Sequence, residues 1–167
     1  MVEADGQAGP SKTRRTVADL VAAAREKIEP RLTPEAAREA ASRGALLVDL
    51  RSEEDRRGEG VIPGSLHIPL SVLHWRVDPE SGYANPHVGG LDRQLVVFCS
   101  DGLASSLAAA SLRELGCERA TDLVGGYRAW RTAGLPVATP NEARSSTPAG
   151  GLPGMGPPDP GGDTSPG

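Results

Sequence analysis

Cys99 is the residue whose type and position in this chain most clearly indicate chemical reactivity. It follows the apolar run QLVVF and precedes SDGLA, after which a helical pattern begins near Ala104. A cysteine at the carboxyl end of a parallel strand lies where α/β sheets place their ligand sites. Gly102 lets the backbone curl so that N–H groups point at the sulfur, and the dipole of the following helix adds positive potential there. Both effects favour the thiolate, which is the nucleophilic form. A buried packing cysteine fits the position equally well, so the stretch alone leaves both interpretations open.

Four other polar residues stand at positions where they can support such a site. Ser105 and Ser106 would fall in the first turn of the following helix, as hydroxyl donors to the site or as helix caps. Asp49 and Arg51 come at the end of another apolar run, ALLVDL. An Asp-Arg pair at a strand end orients loops through charge-assisted hydrogen bonds, and Arg51 is also the first candidate for balancing charge near the site.

The remaining reactive side chains carry weaker signals. Cys117 follows a glycine just before a predicted strand, which favours a packing role; the alternative is a resolving thiol that attacks sulfur carried on Cys99. His67 and His74 have no acidic or cysteine partner at an informative spacing, which disfavours a general base. Arg76, beside a tryptophan, is a second candidate for balancing charge, or an exposed side chain whose stem packs on the ring.

The elements that must position Cys99 follow a pattern typical of a parallel sheet. From residue 45 onward, short apolar runs alternate with helical stretches, as in βαβ units. We expect strands in ALLVDL, VIPGSLHIPL, QLVVF and RATDL, and helices in SEEDRRG, SVLHWRV, 104–115 and GYRAWRTAG. The sequence therefore predicts an α/β domain with a parallel sheet flanked by helices.

Two further helices are predicted ahead of the first strand. In 16–30, Val17, Leu20, Val21, Ala24 and Ile28 share one helical face, and in RLTPEAAREAASRG, Thr33 can cap and Pro34 suits the first turn. Residues 1–15 show no periodicity, and 138–167 are dominated by proline and glycine, so both ends are expected to be disordered. The predicted organisation is a disordered start over 1–15, a helix over 16–30, the main domain over 31–137 and a disordered tail over 138–167.

Composition restricts the classes of partner and compartment. The net charge of -4 disfavours a binder of nucleic acid, because such a partner calls for a concentrated basic face. No apolar run reaches the roughly 20 residues that span a bilayer. The acidic, polar start does not resemble a signal peptide, so we expect a cytoplasmic protein with no membrane partner and two free thiols. Histidines and cysteines are not clustered, which disfavours a metal site.

Three segments, in order, resemble the rhodanese domain, a sulfurtransferase module. The family's opening resembles LLVDLRSEEDRRGEGVIPGSLHIPL, with Asp49 and Arg51 in its Asp-x-Arg and Ile62, Pro63 and Gly64 in its turn. The family's active-site strand, loop and helix resemble LVVFCSDGLASSLAAASLRELG, and its closing signature resembles TDLVGGYRAWRTAGLPV. The resemblance covers 31–137 and implies a rhodanese-like domain.

The resemblance also implies a chemistry for Cys99. Cysteine in this family accepts a sulfane sulfur, becomes a persulfide and passes the sulfur to a thiophile, so the implied partners are a small-molecule sulfur donor and a thiol or cyanide-like acceptor. No metal or organic cofactor is implied. The implied six-residue loop runs from Cys99 to Ala104, and the residues implied to bind the persulfide are Ser100, Asp101, Gly102, Leu103, Ala104 and Ser105. Related phosphatases have a longer loop, which disfavours phosphatase activity; the alternative function is a binding or regulatory module without efficient turnover.

The chain departs from the family pattern beside the cysteine. Many members have arginine at the last loop position, where this chain has Ala104. Asp101 instead places a negative charge near Cys99, which should repel a dianionic donor by about 1 kcal/mol at a solvated separation. Thiosulfate is therefore expected to be a poor substrate. Val61 stands where a histidine usually precedes the Ile-Pro-Gly turn.

Overall fold

A four-stranded parallel sheet organises the chain. The computed structural model describes residues 13–145. The strands are β1 (Leu46–Asp49), β2 (Leu66–His67), β3 (Leu95–Phe98) and β4 (Thr121–Asp122), and they lie side by side in the order β2-β1-β3-β4. The crossovers are helical, as parallel connections require. The predicted α/β class with a helix-flanked parallel sheet is therefore confirmed.

Seven helices are found in the described part of the chain. They are α1 (Val17–Lys27), α2 (Pro34–Ser42), α3 (Glu53–Glu59), α4 (Leu73–Val77), α5 (Ala104–Glu114), α6 (Gly126–Thr132) and α7 (Pro140–Ser145). Short 3₁₀ turns cover Leu70–Val72 and Pro86–Val88. Thr33 caps α2 by accepting the N–H of Ala36 at 3.2 Å, as its sequence predicts. No helix within residues 13–145 is long and apolar enough to cross a membrane.

The core lies on both faces of the sheet, because successive strand residues point to opposite sides. On one face, Val48 and Val97 pack beneath α1, α4 and α5. On the other face, Val96 and Phe98 pack beneath α2 and α6. Both strands β1 and β3 are buried along their whole length, which explains why they read as continuous apolar runs. Packing on both faces holds β3 in place, and Cys99 directly follows its carboxyl end.

The N-terminal helix forms, but only part of its predicted apolar face is packed. Thr16 and Asp19 make a capping box that starts α1. Val21, Ala24 and Ile28 are buried, whereas Val17 is 70% exposed and Leu20 is 41% exposed. The predicted helix therefore forms, but its first turn lies outside the core that α1 makes with α5.

The ordered domain extends further than the sequence predicts. Ala138 pairs with Val61 in an antiparallel bridge, with N–H···O distances of 2.8 and 2.9 Å, and α7 follows. The predicted disordered tail from residue 138 is therefore wrong over 138–145, because backbone pairing and the Thr139 cap on α7 need little apolar surface. The other predicted disordered ends fall largely on 1–12 and 146–167, which lie outside the described residues.

Candidate active site

Cys99 sits directly after β3, in a loop that turns into α5. Gly102 has a φ of +77°, and its N–H donates to the Cys99 Sγ at 3.3 Å. The thiol in turn donates to the Oγ of Ser105 at 3.5 Å. The loop thus curls around the sulfur, and the half-buried thiol has backbone and hydroxyl partners rather than apolar packing alone.

The loop makes the Cys99 thiol easier to ionise than that of an ordinary cysteine. Burial by itself raises the pKa of this thiol. The hydroxyl of Ser105 and the backbone N–H groups of Ser105, Gly102 and Asp101 oppose that effect, and the net pKa lies below the usual cysteine value. These groups favour the anionic form over the neutral thiol, so the thiolate is the form that the loop stabilises.

Ser105 connects the thiol to a buried carboxylate. Its Oγ donates to Oδ2 of Asp122 at 3.0 Å while accepting from the Cys99 thiol. A hydroxyl carries a single proton, so Ser105 can donate to Asp122 or to the sulfur, but not to both. When Cys99 ionises, Ser105 can donate to the thiolate only by turning this proton away from Asp122.

Asp122 keeps other partners when Ser105 turns away. The Ser106 hydroxyl donates to its Oδ2 at 2.7 Å, and Arg31 forms a two-point ion pair with it at 2.7 and 3.1 Å. Asp122 is fully buried and the Arg31 side chain is 12% exposed. The site therefore contains a buried ion pair directly behind the cysteine loop.

Sequence reasoning missed Asp122 and Arg31. Asp122 could have been found, because it ends β4, which pairs with β3 in the register Val97↔Asp122. Carboxyl ends of neighbouring parallel strands share one edge of the sheet. Arg31 lies 91 residues from Asp122 along the chain, and nothing in the sequence links the two.

The start of α6 holds the loop from the other side. The N–H of Tyr127 donates to the carbonyl of Cys99 at 2.9 Å, and that of Arg128 donates to the carbonyl of Ser100 at 3.1 Å. Gly126 makes this approach possible: a Cβ at this position would lie 2.5 Å from the Cys99 oxygen and 2.7 Å from the Gly102 nitrogen. The glycine pair before the tyrosine is thus a direct packing partner of the loop.

The rim of the loop is charged and partly apolar. Asp101 is paired with Arg128, whose Nη1 lies 2.9 Å from both carboxylate oxygens, and Glu59 approaches Nη2 of the same arginine at 3.4 Å. The Asp101 side chain raises the already high pKa of Arg128. Asp101 is thus not an unbalanced charge, although the three groups together carry one net negative charge. Leu103 and Ala104 are exposed at the same rim.

Asp49 and Arg51 lie deeper in the fold than the loop. Their side chains form a two-point ion pair at 3.0 and 2.7 Å, and Arg51 also donates to the carbonyl of Gly60 at 2.9 Å. The guanidinium carbon is 3.8 Å from the centre of the Tyr127 ring. The pair therefore braces the strand end and α6, and the same guanidinium lies 5.9 Å from the ring centre of Phe98, the residue before Cys99.

The other candidates are not brought to Cys99. Cys117 is fully buried in the core, and burial raises the pKa of its thiol. It follows α5, whose eleven residues span about 16 Å, whereas Cys99 precedes that helix. His67 and His74 contact the Arg51 carbonyl and the Ser111 hydroxyl, respectively. Arg76 donates to the carbonyl of Tyr83, away from the cysteine loop.

Known proteins are similar to this chain in sequence and in fold. A thiosulfate sulfurtransferase, GlpE, of Ectopseudomonas mendocina is 34% identical over 60% of this chain and 84% of its own. The human single-domain sulfurtransferase TSTD1 superimposes with a TM-score of 0.52 and 33% identity, over 62% of this chain and 96% of its own. A protein of unknown function from Rhodopseudomonas palustris, described as a possible tyrosine phosphatase, has a TM-score of 0.69 and 31% identity over 78% of this chain and 99% of its own.

The family model for the rhodanese-like domain matches residues 33–133. This range contains the four strands, the cysteine loop and α6, and it covers more than half of the chain. With a parallel sheet that delivers a cysteine into a backbone cradle, and with relatives that are named sulfurtransferases, the chain belongs to the rhodanese-like domain family.

Proposed function

We propose that this chain is a rhodanese-like sulfurtransferase that carries sulfane sulfur as a persulfide on Cys99. The observation that supports this most directly is the sulfur's environment: a backbone N–H at 3.3 Å, a hydroxyl at 3.5 Å and a lowered thiol pKa. A thiolate in such a cradle is a nucleophile, and the product of sulfur transfer is again an anion on the same site.

The reaction has two displacement steps on sulfur. In the first, the Cys99 thiolate attacks the outer sulfur of the donor; a new S–S bond forms, and the donor's S–S or C–S bond breaks. The leaving group takes the electron pair, as sulfite from thiosulfate. In the second, an acceptor thiolate or cyanide attacks the outer sulfur of the persulfide, and the Cys99 thiolate leaves with its electron pair. No external oxidant or reductant is needed.

The loop's role is to hold negative charge throughout this cycle. The N–H groups aimed at the sulfur stabilise the thiolate before transfer and the persulfide after it. Ser105 adds a donor once its proton turns from Asp122 to the sulfur. Asp122 remains paired with Arg31 and Ser106, so the carboxylate is not left without partners.

The family resemblance leaves two other functions to be tested. A phosphatase would use the same cysteine on a phosphate ester, and one similar structure is described as a possible tyrosine phosphatase. A binding module would keep the cradle without turnover. The short loop from Cys99 to Ala104 favours sulfur over phosphate, because a phosphate needs more room than a single sulfur atom.

Intact-mass measurement of the loaded protein tests the proposal. The protein is incubated with thiosulfate, with a mercaptopyruvate-type donor and with a low-molecular-weight persulfide, then with cyanide. We expect one added sulfur on wild type and on Cys117→Ser, none on Cys99→Ser, and removal of the sulfur by cyanide. No adduct from any donor would overturn the proposal, and hydrolysis of p-nitrophenyl phosphate in its place would point to a phosphatase.

A further inference from the structure

Arg25, on α1, reaches into the back of the cysteine loop. Its Nη2 donates to the carbonyl of Gly102 at 2.9 Å, and its Nε donates to the Ser106 hydroxyl at 3.2 Å. One planar guanidinium thus binds two acceptors, one in the loop and one in the first turn of α5. Such a fork fixes the geometry of both acceptors, since its donors are rigidly related.

Arg31 is neutralised by a carboxylate in the described part of the chain, whereas Arg25 is not. Arg31 also donates to the Gly102 carbonyl, at 3.4 Å, but it is already paired with Asp122. The ion pairs found among residues 13–145 include none with Arg25. Arg25 therefore brings an unneutralised cation to the loop, whereas Ala104 occupies the position at which the family resemblance leads one to expect arginine.

The contact determines how the loop faces the sulfur. In a trans peptide, the C=O and the following N–H point in opposite directions, so holding the Gly102 oxygen toward Arg25 turns the Leu103 N–H away from it. The same residue, Gly102, donates its own N–H to Cys99. Two hydrogen bonds, joined by the backbone of Gly102, connect the guanidinium to the sulfur over at most about 10 Å.

We propose that Arg25 is a positioning residue for the cysteine loop, and that α1 is thereby a functional part of the site rather than an appendage. Arg25 locks the Gly102 carbonyl and the Ser106 hydroxyl, which keeps the loop's N–H groups aimed at the sulfur. The proposal deepens the sulfurtransferase function and rests on it for its biological meaning. The effect on the thiol itself can be measured without sulfur transfer.

The test is the pH dependence of Cys99 alkylation by iodoacetamide, followed by intact mass. For Arg25→Ala we expect alkylation below the thiol pKa to slow three- to tenfold and the midpoint of the profile to move to higher pH, because fewer donors stabilise the thiolate. Arg25→Lys should resemble Arg25→Ala more than wild type, since one ammonium cannot reproduce the fork. Persulfide loading from thiosulfate should fall in parallel.

Two controls separate positioning from loss of structure. Lys27→Ala removes an exposed cation from the same helix, where it pairs with Glu114, and should leave the profile unchanged. Cys117 shares a core cluster with Ala24 and Ile28 of α1, so its labelling reports any loosening of that helix. A profile for Arg25→Ala that matches wild type, with Cys117 protected, would overturn the inference even if wild type transfers sulfur. A shifted profile in a protein that transfers no sulfur would instead uphold the positioning role and reject the proposed function.

Discussion

Replacing Asp101 by asparagine should increase the rate at which thiosulfate loads sulfur onto Cys99. The Asp101 carboxylate lies at the rim of the loop, paired with Arg128, and both side chains are 56% exposed. Together with Glu59 they leave the rim with one net negative charge. Asparagine removes that net charge and leaves the guanidinium of Arg128 less neutralised toward an anionic donor.

The size of the effect follows from Coulomb's law in a solvated setting. A single charge acting on a dianion at about 7 Å in water contributes roughly 1 kcal/mol, which corresponds to about a fivefold change in rate. Salt reduces it, because the screening length is about 10 Å at 0.1 M. We therefore expect kcat/KM for thiosulfate to rise three- to fivefold at low salt, mainly through KM, and the gain to shrink as salt is added.

The assay is sulfite release at several ionic strengths, measured for the two single variants at Asp101 and Arg128 and for the double variant. Arg128→Ala should change kcat/KM in the opposite direction, and the double variant Asp101→Asn with Arg128→Ala, which restores the net rim charge, should return close to wild type. Asp92→Asn is the matched control, because this exposed aspartate precedes β3, at the opposite end of the strand from Cys99. An unchanged or lower rate for Asp101→Asn, or a gain that salt does not diminish, would refute the electrostatic reasoning.

Two further predictions concern the loop itself. Ser105→Ala removes a donor to the thiolate, so the pKa of Cys99 should rise and iodoacetamide alkylation should need a higher pH; an unshifted profile would show that the hydroxyl proton stays with Asp122. Gly126→Ala places a Cβ 2.7 Å from the Gly102 nitrogen and should lower persulfide loading at least tenfold. Gly64→Ala, at a φ of +79° in open space, carries the same kind of backbone strain without the clash and should keep its activity; equal losses in both variants would contradict the packing argument.

The sequence carries much of the fold because its signals are local. Runs such as LVVF are buried on both faces of the sheet, and Thr33 and Pro34 mark a helix start within a few residues. The position of Cys99 between a strand and a helix is likewise a local pattern. These features could therefore be predicted without knowledge of the tertiary structure.

The supporting network could not be predicted in the same way. Arg25 lies 81 residues from Ser106, and its role depends on how α1 crosses α5. Arg128 is 27 residues from Asp101 and meets it only because α6 docks on the loop. The sequence shows that the expected arginine is absent at position 104, but side chains from distant elements supply the cations, and no spacing rule encodes such contacts.

The contacts that α1, β4 and α6 make with the cysteine loop have a consequence for folding. The loop is bonded to α1 on one side and to β4 and α6 on the other, so its shape depends on segments separated by about the length of the domain. Contacts of such long sequence separation form late, after their closure entropy has been overcome. A nascent or partly folded chain would therefore present Cys99 as an ordinary thiol. We therefore expect the enhanced reactivity to appear only once α1 and α6 have both docked on the loop, as a chemical signature of the completed fold.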